Sequence, residues 1–263
     1  MNRQRVAITG AEGVIGSVLR RGLAQSYELV ALTRTQQDFA HVVADVTELA
    51  ALQRSFAGVS AVVHLAAAAD LGAGWEDVLA VNMVGTRNVY EAARLAGVGT
   101  VVFASSGHVL GTAEERAGPE FYALGDARQF DEATPPEPDS VYAVGKLFGE
   151  TLGRHYAESY GMRVICIRFG TVLPDDDPRS PAAGRGRSAA MPLAERYPRI
   201  RAKWLSHRDC CQLVRCAIEA APVRHAVVYG TSNNPRQIWS LACARQLLGY
   251  APEDAAPVGP TPA

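Results

Sequence analysis

The sequence predicts an α/β fold, a doubly wound parallel sheet with a small C-terminal lobe. Three observations lead there. Short runs of β-branched and apolar residues alternate with longer helix-type runs, the sequence form of a parallel sheet covered on both faces. The first such run, Val6-Ala7-Ile8-Thr9, opens directly onto glycines at spacing three, Gly10, Gly13 and Gly16. The chain of 263 residues, 48% of them hydrophobic, is long enough to bury one large core.

The elements follow in order. Residues 5–9 read as a strand, followed by the glycine turn and a helix through about Gln25. Residues 28–33 are a second strand, 48–56 a helix and 61–65 a third strand. A long helix is expected over 75–96, ended by Gly97, because a C-terminal glycine takes the left-handed backbone that closes a helix. Residues 100–105 form a fourth strand, 140–160 a helix closed by Gly161, and 163–168 a fifth strand. Helices over 209–220 and 239–248 flank a strand over 226–229. Two stretches break this rhythm. Residues 112–139 carry Pro119, Pro135, Pro136 and Pro138 and read as a long surface excursion. Residues 174–198, with Asp175-Asp176-Asp177 and Gly184-Arg185-Gly186-Arg187, read as a loop with solvated charges, and the Pro- and Ala-rich tail after Tyr250 as loose. Residues 1–170 are expected to form one domain, with 171–263 a smaller lobe partly integrated with it.

Composition narrows the class. A formal charge of -1 provides no broad basic field, so nucleic acid and anionic membranes are not expected partners. Apolar runs such as residues 60–69 fall short of the roughly 20 residues a membrane span needs. The first residues enter a strand without a signal-type apolar segment, so a cytoplasmic location is expected. The cysteines, Cys166, Cys210, Cys211, Cys216 and Cys243, are odd in number and form no C-x-x-C pair. They read as small buried apolar groups, and no metal site is expected.

The glycine turn, Gly10-Ala11-Glu12-Gly13-Val14-Ile15-Gly16, sits between a strand and a helix. A tight turn, close approach of backbone to a pyrophosphate and close helix–strand packing each need a residue without Cβ. The N–H groups around Val14 and Ile15 then meet phosphates at the positive end of the helix dipole. This predicts a nicotinamide dinucleotide, NAD(P), and the end of the second strand discriminates between its forms. An acid there would hydrogen-bond the adenosine 2′-hydroxyl; instead the strand ends Thr33-Arg34, and a guanidinium suits a 2′-phosphate, which favours NADP over NAD. Asp45-Val46 precede a helix, where Asp45 either contacts the adenine amino group or caps with Thr47.

Tyr142-Ala143-Val144-Gly145-Lys146 puts a phenol and an ammonium on one helix face. A free tyrosine titrates near 10, and a neighbouring lysine, with the charge of an oxidised nicotinamide, is expected to bring it down. Tyr142 then exchanges a proton with a substrate oxygen while hydride moves to or from the cofactor. In Phe103-Ala104-Ser105-Ser106-Gly107-His108, one serine hydroxyl falls at the carboxyl end of a strand, where ligands bind in such sheets. His108 reads as a second proton carrier, a substrate partner, or a histidine bonded into its own loop.

Together these residues resemble the extended short-chain dehydrogenase/reductase superfamily of Rossmann folds, over about Arg5 to Tyr250. The resemblance takes in Val63-His64-Leu65-Ala66-Ala67, implying that Leu65, Ala66 and Ala67 line the cofactor, and Asn82-Met83-Val84-Gly85-Thr86, implying that Asn82 supports the lysine through a water. It assigns Ser106, Tyr142 and Lys146 as the catalytic group and adds Phe169 to the cofactor site. Within the superfamily, Val102-Phe103-Ala104-Ser105-Ser106-Gly107-His108, Leu147-Phe148-Gly149-Glu150 and Lys203-Trp204-Leu205-Ser206-His207-Arg208-Asp209 are similar to uronate dehydrogenases. That similarity implies a small-molecule substrate, a sugar, sugar acid or polyol, bound in the C-terminal lobe. Gly107 stands where the family has a substrate asparagine and Thr171 where it has a substrate serine; Arg199 matches the arginine that grips a uronate carboxylate. The resemblance also implies a homodimer formed through long helices. Two other functions share these residues: a sugar epimerase that retains its NAD, and a dinucleotide-sensing regulator. A 4,6-dehydratase is disfavoured, because Gly107-His108 replaces the Asp-Glu pair of that class.

Overall fold

A computed structural model describes residues 3–180 and 192–258. Seven strands form one all-parallel sheet: β1 (Arg5–Thr9), β2 (Glu28–Thr33), β3 (Val42–Val43), β4 (Ala61–His64), β5 (Thr100–Ser106), β6 (Arg163–Phe169) and β7 (His225–Gly230). Their order is β3-β2-β1-β4-β5-β6-β7, the doubly wound arrangement. The central strands are buried on both faces, so β4, β5 and β6 are near-continuous runs of apolar residues rather than alternating ones. Side chains alternate between two cores. Val6, Ile8, Val63, Val102, Ile165 and Ile167 face one side; Ala7, Val62, Val101, Phe103, Val164 and Cys166 face the other.

The helices are α1 (Val14–Gly22), α2 (Leu49–Ser55), α3 (Trp75–Asp77), α4 (Thr86–Leu95), α5 (Gly111–Ala117), α6 (Val141–Tyr160), α7 (Leu193–Lys203), α8 (His207–Glu219) and α9 (Ala242–Leu248). α6 starts where Ser140 accepts a hydrogen bond from the Ala143 N–H, and stops at Gly161 with φ +69. Tyr142 is therefore held in a capped first turn.

Several elements differ from expectation. The helix expected over 75–96 is divided, with a π-helical segment at Val78–Gly85 between α3 and α4. Wide π turns often mark functional sites, and this one carries Asn82. The excursion at 112–139 contains α5 and a 3-10 turn at Pro119–Tyr122, and it buries Glu114 and Phe121. These pieces are too short to show a helical period, and burial against the rest of the protein fixes them. α7 extends into the stretch read as a loop, with Pro198 inside it; Gly184-Arg185-Gly186-Arg187 lie outside the described residues. The helix expected from 239 begins at Ala242, because Trp239 pairs with Phe130 as an isolated bridge and is fully buried. Among the described residues, no helix is long and apolar enough to cross a membrane. No group of three or more metal-ligating side chains converges among them.

Candidate active site

The sheet reverses its winding between β1 and β4, and the segments leaving their carboxyl ends open a groove, as expected of a topological switch point. Two cavities, about 390 Å³ and 620 Å³, occupy the groove and share Gly10, Gly13, Leu65, Ala67 and Ala69. The larger is also lined by Ala66, Thr33, Arg34, Asp45 and Val46. The smaller adds Val14, Ile15, Gly16, Ser106, His108, Tyr142, Lys146, Phe169, Thr171 and Arg199. Residues spread over most of the sequence thus meet in one continuous site.

The glycine turn fits a pyrophosphate. Gly10 has φ +67, and a Cβ there would stand 2.7 Å from the Ala66 nitrogen. A Cβ on Gly16 would stand 2.5 Å from the Gly10 oxygen, so the helix approaches the turn only because glycine is there. At Gly13 a Cβ would meet only the Gly10 oxygen, at 3.4 Å, and would otherwise point into open space. The first helical hydrogen bond is donated by Ser17 to Gly13, at 2.8 Å, so the preceding N–H groups of Val14, Ile15 and Gly16 are available to an anion.

At the other end of the groove, Arg34 is exposed and makes no hydrogen bond or ion pair with the described residues. Asp45 bonds Thr47, as one of the two readings expected, and is also placed at the cavity. One carboxylate oxygen accepts from the Thr47 N–H and hydroxyl, each at 2.8 Å, while the residue also lines the cavity. It forms an Asx turn rather than the helix cap itself, since α2 begins after Glu48.

The two serines of β5 have different tasks. Ser105 donates to Glu150 at 2.5 Å, and Glu150 is held by Arg168 through two bonds of 2.9 Å in a buried ion pair. Ser106 accepts from the His108 N–H at 3.2 Å, and its hydroxyl lies near enough to the Tyr142 phenol to favour the ionised form. The Lys146 ammonium lies 5.6 Å from the centre of the Tyr142 ring. In this pocket, burial pushes the Tyr142 phenol up to about 12; Ser106 opposes that rise and Asp139 adds to it. Burial likewise pushes Lys146 down to about 8. The expected lowering of Tyr142 by Lys146 is therefore not what the protein alone provides, because desolvation disfavours the charged form of both groups.

Two further expectations are corrected. Asn82, expected in the cofactor site, lines neither cavity. Its amide oxygen accepts from the Ala68 N–H at 2.7 Å and its amide nitrogen donates to the Ala68 carbonyl at 3.3 Å, fixing the segment after β4. Gly107 lines neither cavity; a Cβ there would lie 2.1 Å from the Trp239 ring, so the indole fills the space of a side chain. His108 does face the cavity, and its Nδ1 pairs with Asp139 at 2.6 Å. Thr171 and Arg199 line the cavity as expected.

The sequence reading missed Asp139, Glu114, Tyr122 and the role of Lys203. Glu114 is buried and accepts from Tyr122 at 3.0 Å, Lys203 at 3.0 Å and Arg199 at 3.3 Å. Burial works against its charge, but Lys203 and Arg199 outweigh that and hold its carboxyl below the usual range. Only Asp139, next to the cap of the Tyr142 helix, left a local signal; Glu114 lies in the stretch without one.

Comparison with known proteins agrees with this geometry. Residues 6–221 match the NAD dependent epimerase/dehydratase family. The chain is 38% identical to L-arabinose 1-dehydrogenase (NAD(P)(+)) of Haloferax volcanii, covering 95% of this chain and 96% of that one. It is 34% identical to the NAD-dependent glucose-6-phosphate dehydrogenase of the same organism, covering 95% and 94%. The solved uronate dehydrogenase of Agrobacterium tumefaciens superposes with a TM-score of 0.78 at 28% identity, covering 97% and 86%. The chain belongs to the NAD dependent epimerase/dehydratase family and is an NAD(P)-dependent oxidoreductase of the short-chain dehydrogenase type.

Proposed function

We propose that this protein oxidises a small sugar at its anomeric hydroxyl, with Tyr142 as general base, Ser106 as substrate-orienting hydroxyl and Lys146 as the cation holding the nicotinamide ribose. The observation that carries the reading is the convergence of Ser106, Tyr142 and Lys146 on a cavity continuous with the glycine turn. When bound, the oxidised dinucleotide supplies the hydride acceptor and a positive charge. Ser106 already accepts a hydrogen bond from the His108 N–H, which leaves its own O–H for the phenol or the substrate oxygen. Tyr142 takes the proton of the substrate hydroxyl, and Lys146 stabilises the charged phenol. The dehydrogenase names of the similar proteins support oxidation at a sugar hydroxyl.

NADP is the preferred form on this reading. Arg34, unpaired among the described residues and exposed beside Thr33, suits a 2′-phosphate, and β2 ends without an acid to bind the bare ribose. The test is a panel of aldoses, uronic acids and simple carbonyls with NAD and with NADP. Reduction of added dinucleotide by sugars, with higher kcat/KM for NADP, is expected. Interconversion of sugars without net reduction, with a dinucleotide that survives purification, would establish an epimerase instead.

A further inference from the structure

Arg199 and Lys203 line the catalytic cavity, and both are already engaged by one buried acid, Glu114. We infer that the cavity takes a sugar whose far end is uncharged, an aldose or polyol rather than a sugar acid or sugar phosphate, and that Glu114 determines this choice. The inference rests on the dehydrogenase reading above and names its substrate class.

Glu114 reaches the site from α5, with its side chain 1% exposed. One of its oxygens accepts from the Tyr122 hydroxyl, the Lys203 ammonium and the Arg199 guanidinium; the other accepts from Lys203 at 3.4 Å. Arg199 also donates to the Tyr122 oxygen at 3.3 Å. A second acid, Asp139, lies near enough for its charge to favour the charged form of both cations, without pairing with either. It is fixed by His108 and by the Ser140 hydroxyl, and a Cβ on Gly111 would lie 2.0 Å from its carboxylate. The two cations therefore share the buried Glu114 carboxylate, with Asp139 held nearby by His108. The remaining cation among the described lining residues, Lys146, belongs to the catalytic group.

A carboxylate or phosphate entering this cavity would lose water and meet, in Arg199, a cation whose charge is already offset by the buried Glu114 carboxylate. Turning Arg199 toward it would leave Glu114, buried and ionised, short of a partner, which is costly. A sugar hydroxyl has no such requirement: it accepts from the spare N–H groups of Arg199, whose side chain is 22% exposed, without disturbing the ion pairs.

The experiment compares matched substrates on the wild-type protein: D-glucose, D-glucuronate and D-glucose 6-phosphate, and L-arabinose with D-galacturonate. The kcat/KM of the neutral sugar should exceed that of each anion by at least about tenfold. Dissociation constants in dead-end complexes with the reduced dinucleotide, read by its fluorescence, should show the same order. In Glu114→Gln, Arg199 and Lys203 are released, and the anion-to-neutral ratio should rise about tenfold or more. If that variant does not fold, the double substitution Glu114→Gln with Lys203→Met removes one charge of each sign, frees Arg199 and should move the ratio the same way. A wild-type preference for either anion, or a ratio unmoved by the substitutions, overturns the inference. Absence of turnover with every sugar overturns the dehydrogenase reading instead.

Discussion

Tyr142→Phe removes one oxygen from the cavity and little else. The ring sits edge-on to His108, with centroids 6.4 Å apart, and lies 5.6 Å from the Lys146 ammonium; a phenylalanine keeps both contacts. Ser106 keeps its bond from the His108 N–H, and the glycine turn is untouched. The lost hydroxyl gives up at most a weak interaction with the nearby Ser106, so stability should change by only about 1 kcal/mol. The catalytic loss should be far larger. A positioned acid or base contributes roughly 10²- to 10⁴-fold, and at about 1.4 kcal/mol per decade this is about 3–5 kcal/mol of barrier. The assay combines steady-state dinucleotide reduction with a fluorescence titration of reduced dinucleotide and a thermal melt. The expected result is kcat down at least 100-fold, affinity within about threefold and an intact melt. The pH profile adds a second test. Burial pushes the phenol up to about 12 in the protein alone, so wild-type oxidation should climb with pH as the base ionises, and that limb should vanish in the variant. A folded Tyr142→Phe protein within tenfold of wild type would refute the proton-transfer role.

Arg34→Ala should weaken NADP by tenfold or more while leaving NAD nearly unchanged, since a charge-assisted bidentate contact is lost only with the 2′-phosphate; equal losses in two titrations would remove the phosphate assignment. Gly107→Ala forces a methyl against Trp239, which is buried and stacked on Tyr229 with centroids 5.3 Å apart, so it should cost about 3 kcal/mol and lower Tm by roughly 6–10 °C. A melt unchanged within a degree would show that the indole has room to move. His64 is fully buried between Thr9 and Thr86, and burial, then the nearby Lys146 charge, hold it down to about 3. The unfolded chain binds a proton near 6.5 that the folded chain refuses, so stability should fall as pH drops from about 6.5 toward about 3, by up to about 1.4 kcal/mol per unit. Urea midpoints should show this slope, and His64→Gln should flatten it; parallel slopes would assign the acid sensitivity elsewhere.

The sequence by itself determined the six longer strands of the sheet and half of the site, but not the two-residue edge strand β3. Its strands are continuous apolar runs because both faces are covered, and such runs are recognisable without coordinates. Gly10, Gly13 and Gly16 could be read locally because their constraint is local: each avoids a Cβ within the same turn or against the strand beside it. Tyr142 and Lys146 were readable because helical spacing alone puts them on one face. Tertiary structure decided what depends on distant partners. It gave Ser105 to Glu150 and left Ser106 for Tyr142, though the two are adjacent and chemically identical. It turned Asn82 onto Ala68 through a π-helical segment that the pattern of a continuous helix conceals. It filled the space at Gly107 with an indole from 132 residues farther along the chain. It also brought Glu114, from a stretch with no periodicity, against Arg199 and Lys203. The charge balance of the substrate cavity follows from burial and from pairs far apart in sequence. The first property that residue types and spacing disclose is therefore the reaction, and the last is the molecule that undergoes it.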